Sequence, residues 1–301
     1  MASRTVRAVR AVPLIPLVIA ALVLSACGSP GVGADGKIAV VASFYPLQYA
    51  TQQIGGSLVA VTSLTKPGAE PHDIELTPRA VASVSRARLV VYEKGLQGAV
   101  DQAVESQGGG HSLDVAPSAN LDLKLESGAT DPHFWLDPQR YSEVAKAIAE
   151  RLAQLDPAHR PDFEKNATVF EGKLVALSQE FTTGLASCQR RDIVTSHAAF
   201  GYLARRFDLR QIAINGLFPG SEPKAGVLAT VSDYAKAHGV TTIYAETLVS
   251  PAIAQTVAHE TGARVRTLDP LEGLTDASLG KDYFEVMRSN LQVLRAGQSC
   301  S

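Results

Sequence analysis

The chain has 301 residues, 46% of them hydrophobic and 19% charged, enough for one large domain or two medium ones with a substantial core. Its 28 basic and 30 acidic residues form no basic stripe and no interleaving of aromatic with basic positions, which argues against nucleic acid as a partner. Beyond the N-terminus no run approaches the about 20 apolar residues of a membrane span.

The N-terminus reads as a targeting segment. Arg4, Arg7 and Arg10 form a positive region, AVPLIPLVIAALVL an apolar one, and Leu24 to Cys27 spell LSAC. A large apolar residue, two small ones and a cysteine form a lipobox, so residues 1–26 are expected to be a signal peptide and Cys27 the lipid attachment point. Without that segment 25 basic residues stand against 30 acidic. The Gly-rich residues 27–36 read as a tether.

From residue 37 onward, short apolar β-branched runs alternate with helical patterns. KIAVVAS is a strand, YPLQYATQQIGG a helix and SLVAVTSLT a strand. TPRAVASVSRA is a helix capped by Thr77 with Pro78 in its first turn, ARLVVYEK a strand and LQGAVDQAVESQ a helix. Such alternation predicts βαβ units and mostly parallel sheets. The Gly- and Ser-rich stretch from Ser106 to His133 reads mostly as exposed loop, with one short strand around 112–116. After Asp137-Pro138, QRYSEVAKAIAERLAQL is an amphipathic helix. Residues 158–188 then keep helical periodicity far beyond the usual length. The rhythm resumes with RDIVTS, RQIAING, TTIYAE and ARVRTLD as strands, and HAAFGYLARRF, PKAGVLATVSDYAKAHG, SPAIAQTVAHETG and KDYFEVMRSNLQVLRAG as helices. The expected architecture is α/β: a lobe over 37–157, a long rigid linking helix over 158–188 and a second lobe over 189–301.

Two cysteines remain, Cys188 and Cys300, and in an exported protein they are expected to pair. Of seven histidines, His159, His238 and His259 lie in polar helical contexts and His111 stands alone in the loop. The other three share a placement. His72, in TKPGAEPHDIELTP, lies on a segment held extended by Pro67, Pro71 and Pro78. His133, in TDPHFWLDP, is bracketed by two Asp-Pro pairs, with Phe134 and Trp135 expected to pack on the core. His197 follows the strand DIVTS. Ligands bind at the carboxyl ends of strands in open α/β sheets. Asp269, ending ARVRTLD, has that placement, and Glu246, ending TTIYAE, is the second-choice carboxylate. Glu70 is a further oxygen donor of lower rank. Three imidazoles and a carboxylate suit Zn²⁺, although spacings of 61, 64 and 72 residues form no short metal motif. Three histidines and a water also make a catalytic zinc geometry. Asp269 would close the open position, and no second motif, one for a substrate, is present, so an enzyme is not expected.

In this order, the lipobox, PGAEPHDIELTP, DPHFWLDP, VTSHAAFGYLA, IYAETLVSP and LDPLEGL resemble the metal-binding lipoproteins of bacterial zinc and manganese ABC importers. The resemblance spans nearly all of residues 37–301. It implies two α/β lobes joined by a long helix, with one divalent ion held between them by His72, His133, His197 and Asp269. It implies an extracytoplasmic lipoprotein, tied to the membrane through its lipid, that delivers Zn²⁺ to an ABC permease; a monomer is expected. Manganese as cargo and a surface adhesin are the alternatives. The chain departs from many zinc-type relatives in one respect: the loop before DPHFW carries only His111 and no His-rich run.

Overall fold

The computed structural model describes residues 1, 2, 5, 36–125 and 127–301. The expected signal peptide, apart from isolated N-terminal positions, and Cys27 lie outside the described residues. The first half runs β1 (Ile38–Ala42), α1 (Tyr45–Gly55), β2 (Val59–Ser63), α2 (Pro78–Arg86), β3 (Leu89–Tyr92), α3 (Gly98–Gln107), β4 (Ser112–Asp114), α4 (Ala116–Ala119) and α5 (Pro138–Leu155). Then comes α6 (Arg160–Leu185). The second half runs β5 (Asp192–Thr195), α7 (Gly201–Arg206), β6 (Arg210–Ala213), α8 (Ala225–Ala237), β7 (Thr242–Ala245), α9 (Ala252–Thr261), β8 (Arg264–Thr267) and α10 (Tyr283–Gln298).

The strands form two four-stranded parallel sheets, ordered β2-β1-β3-β4 and β6-β5-β7-β8. The winding is the same in both, so each sheet reverses direction beside its first strand, and the crevice outside the strand ends at such a reversal is where ligands collect. Strand composition follows position. The inner strands β3 and β7 are buried throughout, as a parallel sheet covered on both faces requires, whereas the edge strand β2 buries only Val59 and exposes Ala60 and Thr62.

The 26 residues of α6 span about 39 Å. Phe163, Ala167, Phe170, Leu174, Leu177, Phe181 and Leu185 make one buried stripe, the three-and-four spacing of a helix face. That stripe belongs to a single hydrophobic cluster that also takes in Leu47 and Trp135 from the first half and Ile193, Leu268 and Leu294 from the second. The long helix is therefore packed along its length rather than standing free as a strut. At Gly184 an added Cβ would lie 3.1 Å from Leu291 Cδ1, so glycine lets α10 approach closely.

In the Gly- and Ser-rich stretch the expected short strand is β4, paired with β3, and a single helical turn, α4, is added and buries Ala119. One local expectation is corrected. The helix after β5 begins at Gly201, not at His197. The carbonyl of His197 accepts from Thr195 Oγ1 at 2.7 Å and from Gln211 Nε2 at 3.0 Å, and the Ala198 N–H goes to Gly216 O. Backbone groups that would open a helix are thus engaged elsewhere. Gly201 is required where α7 does begin, since a Cβ there would meet Asp131 Oδ2 and Leu123 Cδ2 at 2.5 Å.

Cys188 and Cys300 are joined by a disulfide across 112 residues of sequence. The bridge precedes β5, at the end of the second sheet away from the strand carboxyl ends. Closing a loop of that order constrains the unfolded chain by about 4.7 kcal/mol in the chain-entropy account. Reducing the protein is expected to lower its melting temperature by about 10 °C and to leave metal affinity within twofold, because the bridge lies at the opposite end of the sheet from the strand carboxyl ends. Thermal melts and zinc titrations with and without reductant check this, and a large loss of affinity would contradict it.

Candidate metal centre

Each candidate imidazole is placed by its own local device. His133 follows Asp131-Pro132, and the Asp131 carboxylate accepts both the His133 backbone N–H at 2.9 Å and the ring at Nδ1, 2.7 Å away. That grip leaves Nε2 pointing away. Asp137, in the second Asp-Pro pair, caps α5 by accepting from Gln139 N. Trp135 is fully buried, its ring 5.1 Å from that of His133, and its indole N–H donates to Pro270 O at 2.7 Å, joining the two halves. His197 is held through Nδ1 by Glu246 Oε1 at 2.9 Å. His72 has its backbone N–H bound by Glu70 Oε1.

The three Nε2 atoms converge on one oxygen, Glu272 Oε1. The distances are 3.3 Å from His72, 3.0 Å from His133 and 3.2 Å from His197. All four side chains are buried, and one donor atom from each lies within 4.8 Å of every other. A tetrahedral zinc ion with ligand bonds near 2.0–2.1 Å separates its donors by about 3.4 Å, so the set has the size such an ion needs. Glu272 Oε2 is buried with no hydrogen-bond partner, the state of a carboxylate built to face a cation rather than a protein donor.

The electrostatics agree. Burial would lower the His197 pKa, but the carboxylates of Glu246 and Glu272 carry it up to about 10. Burial opposes protonation of His133 as well, and its hydrogen bonds to Asp131 and Glu272 raise it above the ordinary imidazole value. Burial alone would raise Glu272; the surrounding imidazoles, led by His197, hold it well below the ordinary carboxylate range. A buried carboxylate ringed by protonated imidazoles is an arrangement in which a divalent cation can take the place of the ring protons.

Among the four residues expected from the sequence, His72, His133 and His197 are brought together and Asp269 is not. The Asp269 carboxylate accepts from Leu271 N at 2.8 Å and from Ser278 Oγ at 2.7 Å, and burial raises its pKa. Leu271 is left-handed, at φ 58°, a costly conformation for a branched side chain. The turn that Asp269 closes around Leu271 carries Glu272 inward. A sequence signal for this exists: Asp before Pro favours turn initiation, so an Asp-Pro pair at a strand end marks a carboxylate used by its own backbone. Glu246 orients His197 from behind, as an outer partner of a metal-binding imidazole does. Glu70 Oε1 lies 4.0 Å from His72 Nε2, at the margin of the cluster. His111 lies apart, its ring hydrogen-bonded to the carbonyls of Gly109 and Val84.

A family model described as zinc-uptake complex component A, periplasmic (ZnuA), matches residues 40–297. The high-affinity zinc uptake system protein ZnuA of Bacillus subtilis is 35% identical over 303 residues, covering 92% of this chain and 95% of that protein. The zinc-binding protein AdcA of Streptococcus pyogenes is 36% identical over 289 residues, covering 87% of this chain; the chain spans only 56% of that relative's length. The crystal structure of the Zn(II)-bound ZnuA-like domain of Streptococcus pneumoniae AdcA matches with a TM-score of 0.75 at 34% identity, covering 87% of this chain and 99% of the other.

Proposed function

We propose, since the chain belongs to the ZnuA family of zinc-uptake components, that it captures one Zn²⁺ outside the cytoplasmic membrane and delivers it to the permease of an ABC importer. The ion is held by His72, His133, His197 and Glu272. One observation carries this reading: three imidazole Nε2 atoms lie 3.0–3.3 Å from a single buried carboxylate oxygen. Imidazole donors favour zinc over manganese, which prefers oxygen. Four protein donors also close the coordination shell, the pattern of a held ion and not of a catalytic one, which keeps a position open for water. The protein is therefore a binding protein and not an enzyme. LSAC supports cleavage after residue 26 and a lipid on Cys27, which keeps the protein at the membrane near its permease.

The test is competitive titration of Zn²⁺ and Mn²⁺ into metal-free protein beginning at residue 28. One Zn²⁺ per chain should bind and outcompete Mn²⁺. His197→Ala should lose more than the 10–100-fold that removing an outer partner of a ligand costs. Mn²⁺ winning at equal concentration would make manganese the cargo, and no binding of either ion would remove the metal reading.

A further inference from the structure

We propose that Gln97 is a positioning residue for His72, and so sets how tightly the site holds its ion; this rests on the reading of His72 as a ligand. The segment from Thr65 to His72 contains Pro67 and Pro71, which lack the N–H groups that would fasten a loop to its surroundings. Its hydrogen bonds are few. Gly68 N donates across to Leu274 O in the other half, and Ala69 N to Lys66 O within the loop.

Gln97 ties the His72 end of the arm to the first half. It is the residue before α3, and its backbone carbonyl accepts from Val100 N and Asp101 N, starting the helix. The side chain is thereby free to turn back, and it is buried. Its Nε2 donates one hydrogen to Thr65 Oγ1 at 3.0 Å and the other to Pro71 O at 3.1 Å. Thr65 Oγ1 in turn donates to Ser43 O, at the end of β1, at 2.8 Å. The start of the arm is also held to Ser43 O through Thr65 N at 3.1 Å, so what Gln97 adds is the pin at the far end, on the residue bonded to His72. Without it a buried carbonyl is left unpaired and the His72 end of the arm loses its tie to the first half, so the Nε2 of His72 is less firmly fixed against Glu272.

The test is a double-mutant cycle on zinc affinity, by chelator competition, over wild type, Gln97→Ala, His72→Ala and the double variant. Gln97→Glu serves as an isostere that keeps the shape but lacks the NH₂ donor, and it replaces Gln97→Ala if the smaller residue does not fold. Either Gln97 variant should weaken zinc about tenfold in the wild-type background, within the range for outer partners of metal ligands, and should add less than twofold when His72 is alanine. Equal losses in both backgrounds would show a general packing role and overturn the proposal, as would no loss at all. A second measurement needs no metal: the ring signals of His72 in the NMR spectrum of zinc-free protein should shift in Gln97→Glu while those of His133 and His197 hold. If wild type and His72→Ala bind zinc equally, the metal reading fails by itself, and unchanged His72 signals would still overturn the role of Gln97.

Discussion

Glu272→Ala is expected to weaken zinc binding by at least a hundredfold, whereas Asp269→Asn is expected to change it by no more than about threefold. A hundredfold corresponds to about 2.7 kcal/mol. The asymmetry follows from what each carboxylate touches. Glu272 Oε1 is the point on which three imidazoles converge, and its second oxygen has no protein partner; removing it takes away the one anion that, among the described residues, faces all three rings. Asp269 spends its oxygens on Leu271 N and Ser278 Oγ. An asparagine there can still accept from Leu271 N and offers its amide to the serine hydroxyl, so the turn that aims Glu272 survives. Were Asp269 the ligand, the loss of its charge would be the costly change and Glu272→Ala the mild one. Chelator competition on the two purified variants separates these outcomes, and the reverse order of effects would return the fourth position to Asp269.

Zinc affinity is expected to fall by roughly a hundredfold between pH 7 and pH 5 if one proton is displaced per ion, and by more if two are. The empty site holds protons tightly: His197 sits at about 10 and His133 above its ordinary value, both sustained against burial by neighbouring carboxylates. Protonated rings cannot ligate, so lowering the pH favours the empty form. Because His197 is raised past neutrality, the dependence should already be present between pH 8 and pH 7. For the zinc-free protein the signs are opposite for the two kinds of group. The raised imidazoles contribute stability that is fully present below about 6.5 and is lost as pH climbs through their folded values. Glu272, depressed, contributes stability above about 4.5 that is lost as pH drops through its lowered value. The rise in melting temperature on adding zinc should therefore grow from pH 5 to pH 8. Titration calorimetry in buffers of different ionisation enthalpy counts the released protons; affinity that is flat over the range, or no proton release at pH 7, would contradict the scheme.

Much of the architecture was legible in the sequence because its signals are local. The β-branched runs at residues 38–42, 89–92 and 242–245 are inner strands with no polar face to interrupt them, and the amphipathic periods of α5 and α6 need only spacing to be seen. The three histidines were legible because rigid punctuation surrounds them: prolines around His72, Asp-Pro pairs around His133, a strand end before His197. Glu272 was not legible, because its direction depends on a left-handed leucine that residue type does not announce; the Asp269-Pro270 pair signals only that the Asp269 carboxylate serves its own backbone. The start of α7 was misplaced for a similar reason. The His197 carbonyl is taken by Thr195 and by Gln211, and Gln211 is fourteen residues away. Nor did the long helical run reveal that α6 shares one core with both halves.

The donor set draws two residues from each side of α6: His72 and His133 before it, His197 and Glu272 after it. An ion bound by all four is a reversible cross-link between chain segments dozens of residues apart. It stabilises the folded chain by being bound there and lost on unfolding, whereas the permanent bridge at the opposite end of the second sheet constrains the unfolded chain. With a common core already fixing how the halves are placed, loading alters how firmly they are tied more than where they stand. Cargo and clasp are then the same atom. A partner that draws the ion away need not swing two lobes apart; it need only out-compete one arm of the clasp, after which the remaining donors hold with the weaker grip of an incomplete ring.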